Sequence, residues 1–284
     1  MALAQINGLA VAYDVIGQGE PWAITPGGRF SKDTPGLREL AEALAASGKQ
    51  VLIWDRPNTG ASEVCFEGDS ESALQADVLG ALLRHLDMVP AVIAGGSGGS
   101  RVSLLTTSRH PEVARGLAVW WISGGPYGLL TLATHYCGDS IAAAWRHGMA
   151  AVTDLPEWAE VLERRPENRA KFLAQDPASF IRTLEQWMLA YCPRPDALVP
   201  GLTDAEAGAL DGPALVFRSG ASDPHHTRAT SERLAQLLPR AELIEPPWGD
   251  GEWNERVEEA ADGVGLFSRW PLLAPQLIDW SAAL

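Results

Sequence analysis

The stretch Pro90-Ala91-Val92-Ile93-Ala94-Gly95-Gly96-Ser97-Gly98-Gly99 decides the fold. Its first half is a short apolar run, as a strand buried on both faces requires. It leads straight into glycines, and the helix predicted over Ser100 to Ser108 stops before Pro111. A Gly-x-Ser-x-Gly pattern therefore sits between a strand and a helix. A side chain that must project from such a turn needs strained backbone at its own position and small neighbours where the two elements crowd together. The helix N-terminus behind Ser97 adds free N–H groups and the positive end of a dipole, which suit a developing oxyanion. The competing reading is a Gly-rich turn without chemistry. A phosphate-binding loop is disfavoured, because no Lys follows.

Outward from this stretch the same rhythm repeats. Leu9 to Ile16, Pro21 to Thr25 and Gln50 to Trp54 read as strands on the N-terminal side. Leu37 to Ala46 and Ser72 to Met88 read as amphipathic helices between strands, the second with Leu74, Val78, Leu82 and Leu86 on one stripe. Gly116 to Ile122 supplies the next strand. From about Pro126 to Leu210 only helical patterns appear, including Ser140 to Val152, Trp158 to Glu163 and Ser179 to Ala190. Strands resume at Pro213 to Phe217 and Ala241 to Glu245, with a helix at Arg228 to Leu238 between them. The tail from Arg256 to Leu284 reads as partly helical with a break at Pro271. The expectation is an α/β fold: a mostly parallel twisted sheet flanked by helices, residues 1–125 and 211–284, with an inserted helical cap over 126–210.

Several stretches resemble the α/β-hydrolase superfamily of the type with a helical lid. Ile6-Asn7-Gly8-Leu9 to Gly17-Gln18-Gly19 is similar to its N-terminal hairpin. Asp55-Arg56-Pro57-Asn58-Thr59-Gly60-Ala61-Ser62 resembles its D-x-R-G-x-G-x-S loop, and His110-Pro111-Glu112-Val113 its exit from the elbow helix. The resemblance implies that Ser97 is the nucleophile. It also implies that the N–H groups of Gly28, in Pro26-Gly27-Gly28-Arg29, and of Gly98 form an oxyanion hole. Pro26 stands where the family usually has His. Asp223, in Gly220-Ala221-Ser222-Asp223, matches the loop that carries the family's triad acid, although an Asp before Pro224 is equally a turn-forming residue.

The triad histidine of the family follows the last strand, and here that region reads Pro246-Pro247-Trp248-Gly249-Asp250-Gly251. None of the six histidines lies beyond His226. Three explanations compete. A relocated base is one, with His226 or His225, just past Asp223, favoured over His135 and His147 of the cap. Asp250 at the vacated place is another, but a carboxylate of ordinary pKa near 4 is a weak base unless burial raises it. An inactive elbow in a binding module is the third. His85 and His110, on or beside helices, read as structural or exposed.

Composition bounds the rest. The 284 residues include 22 Lys+Arg against 36 Asp+Glu, a net charge of −14, which argues against nucleic acid or an anionic membrane as partner. Three cysteines make no disulfide framework, and with no signal peptide in view a cytoplasmic location is expected. No histidine pair has metal-ligand company, so no metal and no cofactor is expected. Eleven tryptophans are many for this length, and Trp121 and Trp248, with Arg29 and His135, are candidates to line a pocket for an apolar or aromatic small molecule. The expected activity is serine-dependent attack on an ester, lactone or activated carbonyl. The alternative is a catalytically impaired or non-hydrolytic member, a ligand-binding module, lyase or cofactor-free enzyme, using the same pocket. A small-molecule substrate is the expected partner, and a homodimer is admitted.

Overall fold

Eight strands form one sheet: β1 (Ala2–Ile6), β2 (Leu9–Gly17), β3 (Glu20–Thr25), β4 (Lys49–Trp54), β5 (Ala91–Gly96), β6 (Ala114–Trp120), β7 (Ala214–Phe217) and β8 (Ala241–Ile244). These are the strands of a computed structural model that describes Met1 to Leu284. Their order is β1-β2-β4-β3-β5-β6-β7-β8. β2 pairs antiparallel with both β1 and β4, and every pair from β4–β3 onward is parallel. The central strands β3, β4 and β5 are apolar almost throughout because helices cover both faces.

The core helices are α1 (Leu37–Ala45), α2 (Glu71–His85) and α3 (Gly98–Arg109). Between β6 and β7 lie α4 (Pro126–Ala133), α5 (Asp139–His147), α6 (Met149–Val152), α7 (Ala159–Arg164), α8 (Asn168–Leu173), α9 (Pro177–Leu189) and α10 (Asp204–Gly208). The C-terminal helices are α11 (Arg228–Leu237), α12 (Glu252–Ala261) and α13 (Ala274–Ser281). α1 shows how the sequence makes these elements. Leu37, Leu40 and Leu44 recur on one face and are fully buried, each worth about 1.5–3 kcal/mol of transfer free energy. Its start is closed by Glu39, whose carboxylate accepts the N–H of Gly36 at 2.8 Å.

The region between β6 and β7 has its own core, where Trp158, Phe172, Phe180, Leu184 and Trp187 pack together. Two sets of apolar contacts cross the expected boundary. Val64 and Phe66, from the loop after β4, belong to this cap core. Conversely Val199, Leu202 and Ala207 pack with Leu117, Val119 and Leu234 of the sheet domain, so the chain is back on the sheet before residue 211. The last stretch of the expected cap is held by apolar contacts that its helical spacing alone does not assign to either side. No helix is long and apolar enough to cross a membrane.

Candidate active site

Ser97 has φ 56 and ψ −122, a conformation that costs a non-glycine residue strain and that here aims its side chain out of the β5–α3 turn. The flanking glycines are there for space. A Cβ on Gly99 would stand 2.0 Å from the Thr25 carbonyl oxygen, and one on Gly96 would stand 2.1 Å from the Trp120 indole nitrogen. The neighbouring strands thus come too close to the elbow for any larger residue.

His226 Nε2 lies 2.9 Å from Ser97 Oγ, and His226 Nδ1 lies 2.8 Å from Asp223 Oδ2. The other Asp223 oxygen accepts the backbone N–H groups of His225 at 2.9 Å and His226 at 3.0 Å. Asp223 is therefore both a turn-forming residue and the partner of an imidazole: the same turn that it caps brings His226 round to face it. Burial pushes the Asp223 carboxyl up, but the His226 imidazole and these N–H donors outweigh it and hold the group below the usual carboxylate value. An ionised carboxylate only accepts hydrogen bonds, so the His226 proton sits on Nδ1 and Nε2 is left to accept from Ser97. The order along the chain remains Ser, Asp, His. This histidine stands in the loop after β7, and the loop after β8 carries none.

A buried layer supports this loop. Arg256 donates to Asp223 Oδ2 at 3.2 Å and to Glu252 Oε1 at 2.8 Å. Its guanidinium lies 3.9 Å from the centre of the Trp121 ring, which in turn stacks on His226 at 6.2 Å and 26°. Trp121 itself has φ 48, strained backbone for a bulky residue, and is 2% exposed. Burial pushes the Glu252 carboxyl above its ordinary value despite Arg256 beside it. Sequence reasoning missed Glu252 and Arg256, although their i,i+4 spacing just past the vacated histidine position was the available signal.

Gly28 and Gly98 meet beside Ser97. A Cβ on Gly98 would lie 3.2 Å from the Gly28 nitrogen, and one on Gly27 would lie 2.8 Å from Ser97 Cβ. Gly98 opens α3, where its N–H has no intrahelical carbonyl to use. The N–H of Gly28 donates to no backbone carbonyl. Arg56 fixes this loop by donating through Nη2 to the carbonyls of Gly27 at 3.1 Å, Gly28 at 2.7 Å and Phe30 at 3.3 Å.

Other expected site residues lie elsewhere. Asp250 points away: its carboxylate pairs with Arg228 on the surface, while its backbone carbonyl accepts from Ser222. It is not at Ser97, because the turn after β8 uses its backbone, not its side chain, against the Asp223 loop. The His225 ring packs between Tyr127 at 5.4 Å and Trp253 at 5.0 Å and meets the His226 ring edge-on at 6.5 Å. His135 and His147 are exposed on the cap. Arg29 is not at a solvated pocket mouth: its side chain is 8% exposed, pairs with Glu71 at 2.7 Å, donates to the Tyr136 carbonyl at 3.0 Å and lies over Trp158 at 4.0 Å. It ties the loop after β3 to the cap. Trp121 backs the imidazole instead of lining open space, and half-buried Trp248 packs on it at 5.7 Å. Ser97 itself keeps partial exposure, while clefts of about 440–600 Å³ on the molecule open away from it.

The sheet order, the single antiparallel β2, the serine turn after β5 and the helical insertion after β6 define the α/β-hydrolase fold. Solved structures of that fold match the chain along its whole length. They include the enol-lactonase from Burkholderia xenovorans (22% identity, TM-score 0.57, 99% of this chain and 100% of that one). The meta-cleavage product hydrolase from Pseudomonas fluorescens matches at 17% identity and TM-score 0.61, over 100% of this chain and 98% of that one. An alpha/beta hydrolase from Sphaerobacter thermophilus matches at 19% identity and TM-score 0.60, over 99% and 100%. Among curated proteins, the sn-1-specific diacylglycerol lipase ABHD11 of Mus musculus is 32% identical over 155 residues, 54% of this chain. That match spans 44% of the lipase's length. No family model matches the chain.

Proposed function

We propose that the protein is a serine hydrolase acting on an ester, lactone or similarly activated carbonyl of a small, partly apolar molecule. The carrying observation is the continuous relay from Asp223 through His226 to Ser97, with contacts of 2.8 and 2.9 Å. In this reading Ser97 Oγ attacks the carbonyl carbon as His226 Nε2 takes its proton. Asp223 holds the imidazole in the required tautomer and stabilises the imidazolium. The carbonyl oxygen, now negative, is received by the N–H groups of Gly28 and Gly98, a contribution of about 3–4 kcal/mol per donor at the barrier. His226 returns its proton to the leaving group, and water, activated by the same imidazole, releases the acyl group from Ser97. The lipase relative and the lactonase and hydrolase neighbours support this class of reaction.

Reaction of the protein with a fluorophosphonate probe tests the reading. Wild type should form a covalent adduct, seen by intact-mass spectrometry, and Ser97→Ala should form none. A wild-type protein that stays unlabelled while folded refutes it.

A further inference from the structure

Three arginines enter the space between the elbow and the cap: Arg29, Arg56 and Arg101. Only Arg29 has a carboxylate partner, Glu71. Arg56 is 2% exposed and Arg101 3% exposed, and neither pairs with an acidic group. Arg101 donates through Nε to Ser72 Oγ at 2.9 Å and through Nη2 to the Tyr191 hydroxyl at 3.0 Å, leaving Nη1 without a partner. Arg56 spends Nη2 on the Gly27–Phe30 loop and leaves Nε without a partner. Its Nη1 would lie 3.6 Å from a Cβ on Gly98, and the Tyr136 hydroxyl 3.3 Å from the same point. A guanidinium nitrogen and a phenol thus face the ground beside Ser97 that the Gly28 N–H also faces.

Neither Arg56 nor Arg101 has a direct carboxylate partner of its own: the nearby Glu71, which acts on both, is paired with Arg29, and their hydrogen bonds go to neutral groups. Burial pulls Arg56 down to about 10, which still leaves it charged at neutral pH. A planar, bidentate anion is the group such nitrogens are shaped to accept.

We propose that Arg56 and Arg101, with the Tyr136 hydroxyl, form a subsite for a carboxylate, so that the molecule processed at Ser97 is an acid whose carboxylate lies close to the carbonyl under attack. The link to a reaction rests on the serine-hydrolase reading; the anion subsite does not. It gives the net-negative protein a local positive centre beside Ser97. It also narrows an otherwise apolar substrate class to monoanionic esters or lactones.

The test is calorimetric titration of the Ser97→Ala protein with phenylacetate and with its neutral isostere phenylacetamide. Phenylacetate should bind at least about tenfold more tightly, the scale of one charge-assisted bidentate contact. Arg101→Gln should abolish that preference, and Arg101→Lys, which keeps the charge, should retain part of it. The acid-over-amide ratio is read on the unmodified pocket as well, so an unstable arginine variant does not remove the test. Equal binding of acid and amide, binding of neither, or a preference that survives Arg101→Gln together with Arg56→Gln overturns the proposal. Phosphonate labelling separates the two readings. Labelling without acid preference defeats the subsite alone, and acid preference without labelling defeats the hydrolase alone.

Discussion

Asp223 Oδ2 stands 2.8 Å from His226 Nδ1, although the two residues are only three apart in the chain. One short loop after β7 therefore supplies both the carboxylate and the imidazole of the chain of contacts that ends at Ser97. The space after β8, where the fold usually carries its histidine, is filled instead by α12, whose Arg256 braces Asp223 from behind.

This relationship separates the two adjacent histidines. His226→Ala should lower kcat on an activated aryl ester by about three orders of magnitude, the scale of lost general-base assistance. His225→Ala should leave it within a few fold, because that ring faces Tyr127 and Trp253. Asp250→Asn, at the surface, should behave like His225→Ala. Steady-state rates of the three variants decide it, and a larger loss in His225→Ala than in His226→Ala would reverse the assignment.

The Gly98 position gives a second expectation. Gly98 is not in the left-handed region, so Ala is tolerated by the backbone, but its methyl would stand 3.2 Å from the Gly28 nitrogen and 3.3 Å from the Tyr136 hydroxyl. Gly98→Ala should thus fold with a near-normal melting temperature and lose about 10²-fold in kcat, as when one oxyanion donor is blocked. Unchanged kcat in a folded variant contradicts the assignment of these N–H groups.

Arg256 and Glu252 are 6% and 2% exposed and form a buried ion pair. Arg256→Met leaves a buried carboxylate unpaired and should destabilise the protein by about 3–5 kcal/mol in urea unfolding. The double change Arg256→Met with Glu252→Leu should recover most of that loss, since removing both charges removes the unpaired one. A single variant as stable as wild type would show that the pair carries no structural weight.

The pH dependence of stability follows from Asp223. Its folded carboxyl is held below the ordinary value, so it contributes stability above the unfolded pKa near 4 and loses that contribution as pH falls through the folded value. Asp223→Asn should therefore be less stable than wild type at pH 7, with the gap narrowing progressively below about pH 4. Denaturant midpoints across that range measure it, and a gap that widens on acidification contradicts the sign. The same variant should lose about 10⁴-fold in kcat at neutral pH, because Asn presents the wrong partner to Nδ1.

The elbow, the sheet rhythm and the helical insertion were legible in the residues themselves. Strand periodicity, Gly-Gly-Ser-Gly-Gly and the helix after it are local properties, set by backbone sterics and by which face each residue must bury. The Asp223-Pro224-His225-His226 run narrowed the base to two neighbours but not to one. The choice between them is made by which ring the loop turns toward Ser97, and that depends on Trp121, just past β6, stacking on His226 while Tyr127 and Trp253 hold the His225 ring. Likewise Arg29, Arg56 and Arg101 look like ordinary solvated charges in the chain. Only the closing of the cap over the loops after β3 and β4 buries them, because desolvation is a property of what surrounds a group in space and no spacing along the sequence encodes it.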